Sequence, residues 1–587
     1  MERWVVMNKK ADFYGIGEKF GIDPVIARLI RNRDIIEEKE IDLYLNGRIE
    51  ELPSPKQMKD VEKAVSILIQ KIREGKRIRI ISDYDVDGVT SNYILYKGLS
   101  KCGALVDYKI PDRILDGYGI NENLIRQAYE DGVDTILTCD NGIAASSQIA
   151  YGKELGLTIV VTDHHDVPYE EENGEKHYIL PPADAVVNPK QPDCSYPYKT
   201  LCGAVVALKL IIHLYERFSK PKDAWHEFIE FAAIATVCDV VSLTGENRII
   251  VKEGLKRLSQ TSHIGLNALI SATEMENKQI SSYHLGFIIG PCINASGRLK
   301  SAEMALSLLL SNDRERALKM ALELKDLNEE RKNMTVSGVE RAIYEIENSD
   351  LNQDKILVVY LPDCHESLAG IIAGRIREKY NKPVFVLTDS EDGGLKGSGR
   401  SIEAYSMFEE MSRAKDLMSK FGGHPMAAGL SIPKENLMPF REKLNELTTL
   451  KDSDLVAKIS IDVPMPVSYI TENLVEQLKI LEPFGCANPK PLFAQKNLSV
   501  LSARILGVRR NVLKMRVADE QGYEMDAIYF GNMDDFNQYL SSHFPENEIK
   551  YMYQGRKNSV RLSFTYYPDV NEFRGTKSLQ LIIQNYQ

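Results

Sequence analysis

LTIVVTDHHD, residues 157–166, is an apolar run that stops abruptly at an aspartate and two histidines. Consecutive apolar and β-branched residues without polar alternation suit a strand buried on both faces. The same construction recurs upstream: IRIISDYDVDG places Asp83, Asp85 and Asp87 after one such run, and TILTCDNG places Asp140 after another. Between these runs lie stretches with helical periodicity, VEKAVSILIQKIREG, SNYILYKGLSKCG, NENLIRQAYEDG and ASSQIAYGKELG. The alternation predicts an α/β fold with a parallel sheet wound by helices. In such sheets ligands collect at the carboxyl ends of the strands, where Asp83, Asp85, Asp87, Asp140 and Asp163 all fall. Asp239 closes a further apolar run in IATVCDVVSL, within a stretch (199–260) that reads mostly as helices, and is expected to join them.

Carboxylates with imidazoles at one sheet edge suit hard, oxygen-preferring divalent ions with some nitrogen ligation, such as Mn²⁺ or Mg²⁺. Two such ions on one site point to hydrolysis of a phosphate ester. A lone Asp after a strand is more often a turn or helix cap. Several ending successive strands reverse that preference. Asp166 reads as such a capping residue, and His177, His213, His226, His263, His284 and His543 read as core or surface histidines.

Composition sets the frame. At 587 residues the chain exceeds one core, and roughly three to four domains are expected. Hydrophobic content of 43% and charged content of 27% are those of a soluble globular protein. Apolar runs fall short of a membrane span and the N-terminus MERWVVMNKK lacks a signal peptide's apolar stretch, so a cytoplasmic location is expected. The eight Cys include no CxxC pair and read as reduced, buried residues. A net charge of −11 argues mildly against electrostatic coating of nucleic acid, but a local basic groove would still serve a nuclease.

The predicted organisation has five parts: an N-terminal extension (1–55), a catalytic domain (56–312), a charged connecting helix (313–349), a second α/β lobe (350–456) and a C-terminal β-barrel of short alternating strands (457–587). In the second lobe GLKGSGRS offers Lys396, Ser398 and Arg400 on a Gly-rich segment suited to giving backbone N–H groups and cations to a phosphate. FGGHPMAAG sets His424 behind two glycines that allow close backbone approach. In the barrel, Arg504, Arg509, Arg510, Lys514 and Arg516, with Tyr529, Phe530 and Tyr553 on later strands, suit either a single-strand-binding face or a solvated strand.

DYDVDG, CDNG, TDHH and TVCDVVSL, in this order, resemble the four phosphoesterase motifs of the DHH superfamily. IPDRILDGYG, AVVNPKQP, GPCINASGR, GLKGSGRS, FGGHPMAAG and LEPFGCANPKP extend the resemblance to its bacterial exonucleases that degrade single-stranded DNA from the 5′ end. The resemblance implies a DHH lobe, a DHH-associated lobe across a cleft, and a C-terminal OB-like barrel. It implies two Mn²⁺ or Mg²⁺ ions held by Asp83, Asp85, Asp87, Asp140, His164 and Asp239, with Asp140 bridging. Asp163 and His165 would orient those ligands or contact phosphate. Arg113, Asn294, Arg298, Lys396, Ser398, Arg400 and His424 would bind substrate, with Arg113 and Arg298 holding the terminal 5′-phosphate or the next one.

Two departures from the family pattern stand out. Ile81 occupies a place where many members carry a histidine, which leaves Asp83 as its replacement, and Cys364-His365-Glu366-Ser367 replaces the usual Trp-His-x-Gly, which points to a structural role for His365. The resemblance further implies a role in DNA recombination and repair, a monomer, a helicase partner and a single-strand-binding protein. A phosphodiesterase for short oligonucleotides or cyclic dinucleotides and a non-enzymatic scaffold remain the alternatives.

Overall fold

The computed structural model of the protein describes residues 2–113, 116–117, 119–172, 174–390, 393–507, 510–573 and 575–587. These divide into two compact units, one built from residues 53–241 and 253–457, the other from residues 3–52, 242–252 and 458–587.

The first unit is α/β. Its central sheet has the order Leu105–Lys109, Arg77–Ser82, Thr135–Cys139, Thr158–Thr162, Ala185–Val187, with every pairing parallel. Ile78, Ile80, Ile136, Leu137, Ile159, Val160 and Val161 are fully buried, each stabilising by about 1.5–3 kcal/mol. The intervening helices Val61–Arg73, Val86–Lys101, Glu122–Glu130 and Ser146–Glu154 are the expected ones. The connecting helix is also present, as Arg314–Glu347.

The helix after the first motif begins at Val86, so Asp87 lies in its first turn and not in the loop after the strand. Asp239 caps the C-terminus of helix Ile229–Cys238, within the stretch 199–260 that the sequence reads as helical.

The second sheet of this unit has the order Lys420–His424, Ala427–Ile432, Leu395–Arg400, Val384–Asp389, Leu357–Tyr360, antiparallel except for its last pair. GLKGSGRS is therefore its central strand. Its backbone pairs on both sides, Ser398 standing opposite Val386 and Gly429, so it is not a loop offering N–H groups to phosphate.

The second unit holds the C-terminal sheet. Strand Phe493–Leu506 pairs with Val512–Ala518 and also with Arg561–Phe573, which closes the sheet into a barrel. Residues of the N-terminal segment share this core: Ile26, Leu29 and Ile30 cluster with Val467, Leu478 and Phe493, and Arg3–Val6 runs parallel to Lys458–Ile461. The expected basic, ring-bearing face is altered. Lys514 pairs with Asp526 at 3.0 Å, and Arg516 with Glu524 at 3.0 Å and Asp526 at 2.9 Å. Tyr529 packs against the core, as does Tyr553, which ends helix Glu546–Tyr553 and lies on no strand, whereas Phe530 is exposed. Arg509 lies outside the described residues. Among the described residues no helix is long and apolar enough to cross a membrane.

Candidate metal centre and substrate cleft

Strand register builds the site. Ser82 pairs with Cys139, and Cys139 with Thr162. The next residues, Asp83, Asp140 and Asp163, therefore leave three neighbouring strands abreast, at a strand spacing of about 4.8 Å. Asp140 turns the chain sharply, with φ at 59°, a left-handed conformation that aspartate tolerates better than most residues.

Three helix ends complete the set. Asp85 caps helix Val86–Lys101 by accepting from Gly88 N–H at 3.1 Å. The two Asp87 oxygens accept from Gly203 N–H at 2.6 Å and Ala204 N–H at 2.7 Å, at the start of helix Gly203–Arg217, where unsatisfied donors and the dipole favour an anion. Asp239 stands at a helix C-terminus, where the dipole opposes a negative charge. Its placement there calls for a cation close by.

Donor atoms of Asp83, Asp85 and Asp140 come within 4.8 Å of one another, and so do those of Asp87, His164 and Asp239. A third group joins Asp140, Asp163, His164 and His165. Asp140 connects the sets: its Oδ1 lies 3.0 Å from His164 Nε2, which is also 3.5 Å from Asp87 Oδ2 and 3.7 Å from Asp239 Oδ2. Asp83 stands in one of these groups, next to the Ile81 departure. It is buried, and Ile81 belongs to the apolar core beneath it.

The electrostatics point the same way. Burial, then the charges of Asp87, Asp85, Asp83 and Asp239, holds the Asp140 carboxyl well above the usual carboxylate range. Burial and then Asp85 do the same to Asp83, while burial and then Asp87 and Asp85 push Asp239 up to about 9. Burial also lowers His164, keeping its imidazole neutral as a metal ligand requires. Two buried oxygens, Asp83 Oδ1 and Asp239 Oδ2, have no hydrogen-bond partner. Converging carboxylates, one neutral imidazole and orphaned oxygens fit divalent ions of the Mn²⁺ and Mg²⁺ kind.

Asp163 does different work. It is buried at 1% exposure; its Oδ2 accepts from Ile143 N–H at 2.9 Å, and its Oδ1 accepts from His164 N–H at 2.7 Å and bonds the His165 ring at 2.7 Å. Burial opposes its charge, but the His165 hydrogen bond and charge outweigh that and bring the carboxyl down to about 2. For His165 burial likewise opposes the charge, and Asp163 overrides it, raising the imidazole to about 9. With its side chain 42% exposed, His165 presents a positive charge at the edge of the carboxylate cluster.

Beside Asp83 and Asp85, a cavity of about 420 Å³ is lined by Tyr84, Arg113, Glu366, Ser367, Lys396 and Lys420, among others. The Arg113 guanidinium stands 4.9 Å from the Tyr84 ring centroid, and Lys396 pairs with Glu366 at 3.3 Å. Arg298 Nη1 donates to the Ser367 carbonyl at 2.7 Å. Burial, then Arg113 and Arg331, lowers its guanidinium to about 10. Asn294 Oδ1 accepts from Val86 N–H at 3.0 Å, tying its helix to the first motif.

Other expected substrate residues are placed elsewhere. Ser398 and Arg400 pack close to Gly370 at the start of helix Ala369–Tyr380, and Arg400 Nη1 donates to the Gly399 carbonyl at 2.7 Å. His424 is exposed on an edge strand, near enough to Asp166 to help Lys190 lower that carboxyl. His365 caps the turn Glu366–Leu368 and bonds Ser367 Oγ at 2.8 Å. Tyr84, Ser367 and Lys420 were not singled out from sequence, although Tyr84 sits inside DYDVDG.

Fold and donor set together define the DHH class. Residues 77–236 match the DHH family, N-terminal domain; residues 353–449 match the DHHA1 domain, and residues 461–585 the RecJ OB domain. The chain is 33% identical to the single-stranded-DNA-specific exonuclease RecJ of Bacillus subtilis (strain 168), covering 99% of this chain and 70% of that protein. It is also 33% identical to the Haemophilus influenzae RecJ, over 97% of each. Among solved structures, RecJ in complex with Mn²⁺ from Thermus thermophilus superposes with a TM-score of 0.80 at 27% identity, covering 100% of this chain and 79% of that one. The chain belongs to the RecJ family.

Proposed function

We propose that this chain is a metal-dependent exonuclease that hydrolyses single-stranded DNA from its 5′ end. The observation that carries the reading is two carboxylate sets joined at Asp140, next to a cleft lined by cations. Asp83, Asp85 and Asp140 would hold one ion and Asp87, His164 and Asp239 a second. When bound, Mn²⁺ or Mg²⁺ polarises a phosphate oxygen and lowers the pKa of water from ~16 towards ~7.

The chain's own residues do the rest. Asp163 fixes the His164 backbone and holds His165 charged, so that His165 offers a cation to the scissile phosphate. Arg113, Lys396 and Lys420 place positive charge around the terminal 5′-phosphate, and Arg298 fixes the Ser367 turn that forms the cleft wall. Holding the terminal phosphate beside the ions makes the first phosphodiester bond the one cut.

The barrel at residues 457–587 serves strand binding, residues 350–456 close the substrate side of the cleft, and residues 1–55 support the barrel. The protein acts in the cytoplasm as a monomer, in recombination and repair, with a helicase and a single-strand-binding protein supplying its substrate. The test is incubation with Mn²⁺ and end-labelled substrates. Mononucleotides should be released from the 5′ end of single-stranded DNA; release from the 3′ end, from duplex alone, or from a cyclic dinucleotide alone would sink the reading.

A further inference from the structure

Helical residues Ser282–Leu299 form one continuous rod, interrupted by a π-helical segment at Leu285–Ile289. Such segments recur at functional sites. The rod touches the residues that flank Asp85 and the one that precedes Asp239. A Cβ at Gly297 would collide with the Tyr84 carbonyl, and one at Gly290 with Cys238 Sγ; only glycine permits these close approaches. Between them Asn294 accepts from Val86 N–H at 3.0 Å. Beyond Gly290, Gly286 packs on Val237.

One end of the rod, at Gly297 and Arg298, thus borders the cation-lined cleft, and its middle borders the ions' ligands. The other end carries Tyr283 and Phe287, four residues apart on one helix face. Their rings stack at 4.9 Å with an interplanar angle of 24°. They are 61% and 62% exposed. On the segment against which the rod packs, Val240 follows Asp239 directly. It is 68% exposed and held at φ 58°, a conformation that β-branched residues rarely adopt. Three apolar groups are therefore turned to solvent on the Asp239 side of the ions, while the cations stand on the Asp83 side.

Resting on the reading of the protein as a 5′-end single-strand nuclease, we propose that Tyr283 and Phe287 form a base-stacking platform for the strand on the 3′ side of the scissile bond. From Arg298 to Phe287 the rod advances roughly 16 Å at 1.5 Å per residue. At ~3.4 Å per stacked nucleotide, that distance spans about five nucleotides, fewer if the strand is stretched. A single strand offers bases whose faces are free to stack; paired bases in a duplex do not. The platform holds the following nucleotides while each terminal one is removed and admits unpaired strands only.

The test uses full-length protein and 5′-phosphorylated oligonucleotides carrying 2-aminopurine at successive positions, bound without divalent ions. Fluorescence quenching by stacking is expected at a position within the first five nucleotides, lost in Tyr283→Ala/Phe287→Ala and restored by Phe287→Trp on the Tyr283→Ala background. With Mn²⁺, the double alanine variant should lose about tenfold in kcat/KM on a 12-mer, chiefly through KM, and less than twofold on a dinucleotide. Equal losses on both lengths, or no loss on either, would overturn the platform. In the second case the rings would be a docking face for a protein partner. If the unaltered protein fails to cut single-stranded DNA at all, the parent reading fails instead, and that outcome is distinct from both.

Discussion

Two regions of the molecule gather charge, and they do so in opposite ways. At the edge of the parallel sheet, Asp83, Asp87, Asp140 and Asp239 converge with little basic compensation, and burial with mutual repulsion raises all four carboxyls. On the barrel, Lys514 and Arg516 face Asp526 and Glu524 across neighbouring strands, and Asp526 is lowered, against its burial, by bonds from Arg516 and Lys514. The first arrangement is costly until a cation arrives; the second is complete as it stands. Density of charge is therefore a poor guide to chemistry. Absence of a counter-charge is a better one.

The comparison breaks most directly at Asp140. Asp140→Ala should lower Mn²⁺-dependent cleavage of single-stranded DNA by at least ~10²-fold, at or beyond the upper range for groups that support a metal. It should leave the melting temperature without metal nearly unchanged, because relief from the repulsive cluster is offset by the strain of alanine at φ 59°. Full activity, or a large fall in metal-free stability, would contradict the account.

Metal itself should act on one region only. At a hundredfold excess over its Kd, Mn²⁺ should stabilise the protein by about 2.7 kcal/mol, followed by thermal unfolding, and Asp526→Ala should leave that gain intact. A gain that disappears in Asp526→Ala would place the binding elsewhere. His165→Ala should cost about 10–100-fold in cleavage rate, as supporting residues of metal sites do, with less effect on Mn²⁺ affinity than Asp140→Ala. Equal losses of affinity, read by calorimetry, would make His165 a ligand. The smallest effect belongs to the barrel: Arg516→Ala should change stability by less than about 1 kcal/mol, as exposed ion pairs do, and should change strand affinity little. A drop in affinity above tenfold would mean that Arg516 leaves its acidic partners to bind phosphate.

Much of the centre was legible in the sequence because parallel strands advertise themselves as continuous apolar runs. Once those runs are aligned, Asp83, Asp140 and Asp163 must lie side by side. Asp239 was legible too, at the end of the apolar helical run FIEFAAIATVC. GLKGSGRS, by contrast, misled. Glycine is scarce in strands, so a Gly-rich strand in the middle of a sheet resembles a phosphate loop. The ion pairs of Lys514 and Arg516 depend on cross-strand register, and the exposure of Tyr283 and Phe287 on tertiary packing. Neither can be read from spacing along the chain.

The alignment of Ser82, Cys139 and Thr162 has one more consequence. Because alternate residues of a strand point to opposite faces, adding or removing one residue within Arg77–Ser82 would turn Asp83 away from Asp140 while leaving every ligand present in the sequence. The count of residues between Gly75 and Asp83 is therefore as much a part of the active centre as the aspartates themselves. Its strands can be edited only in place.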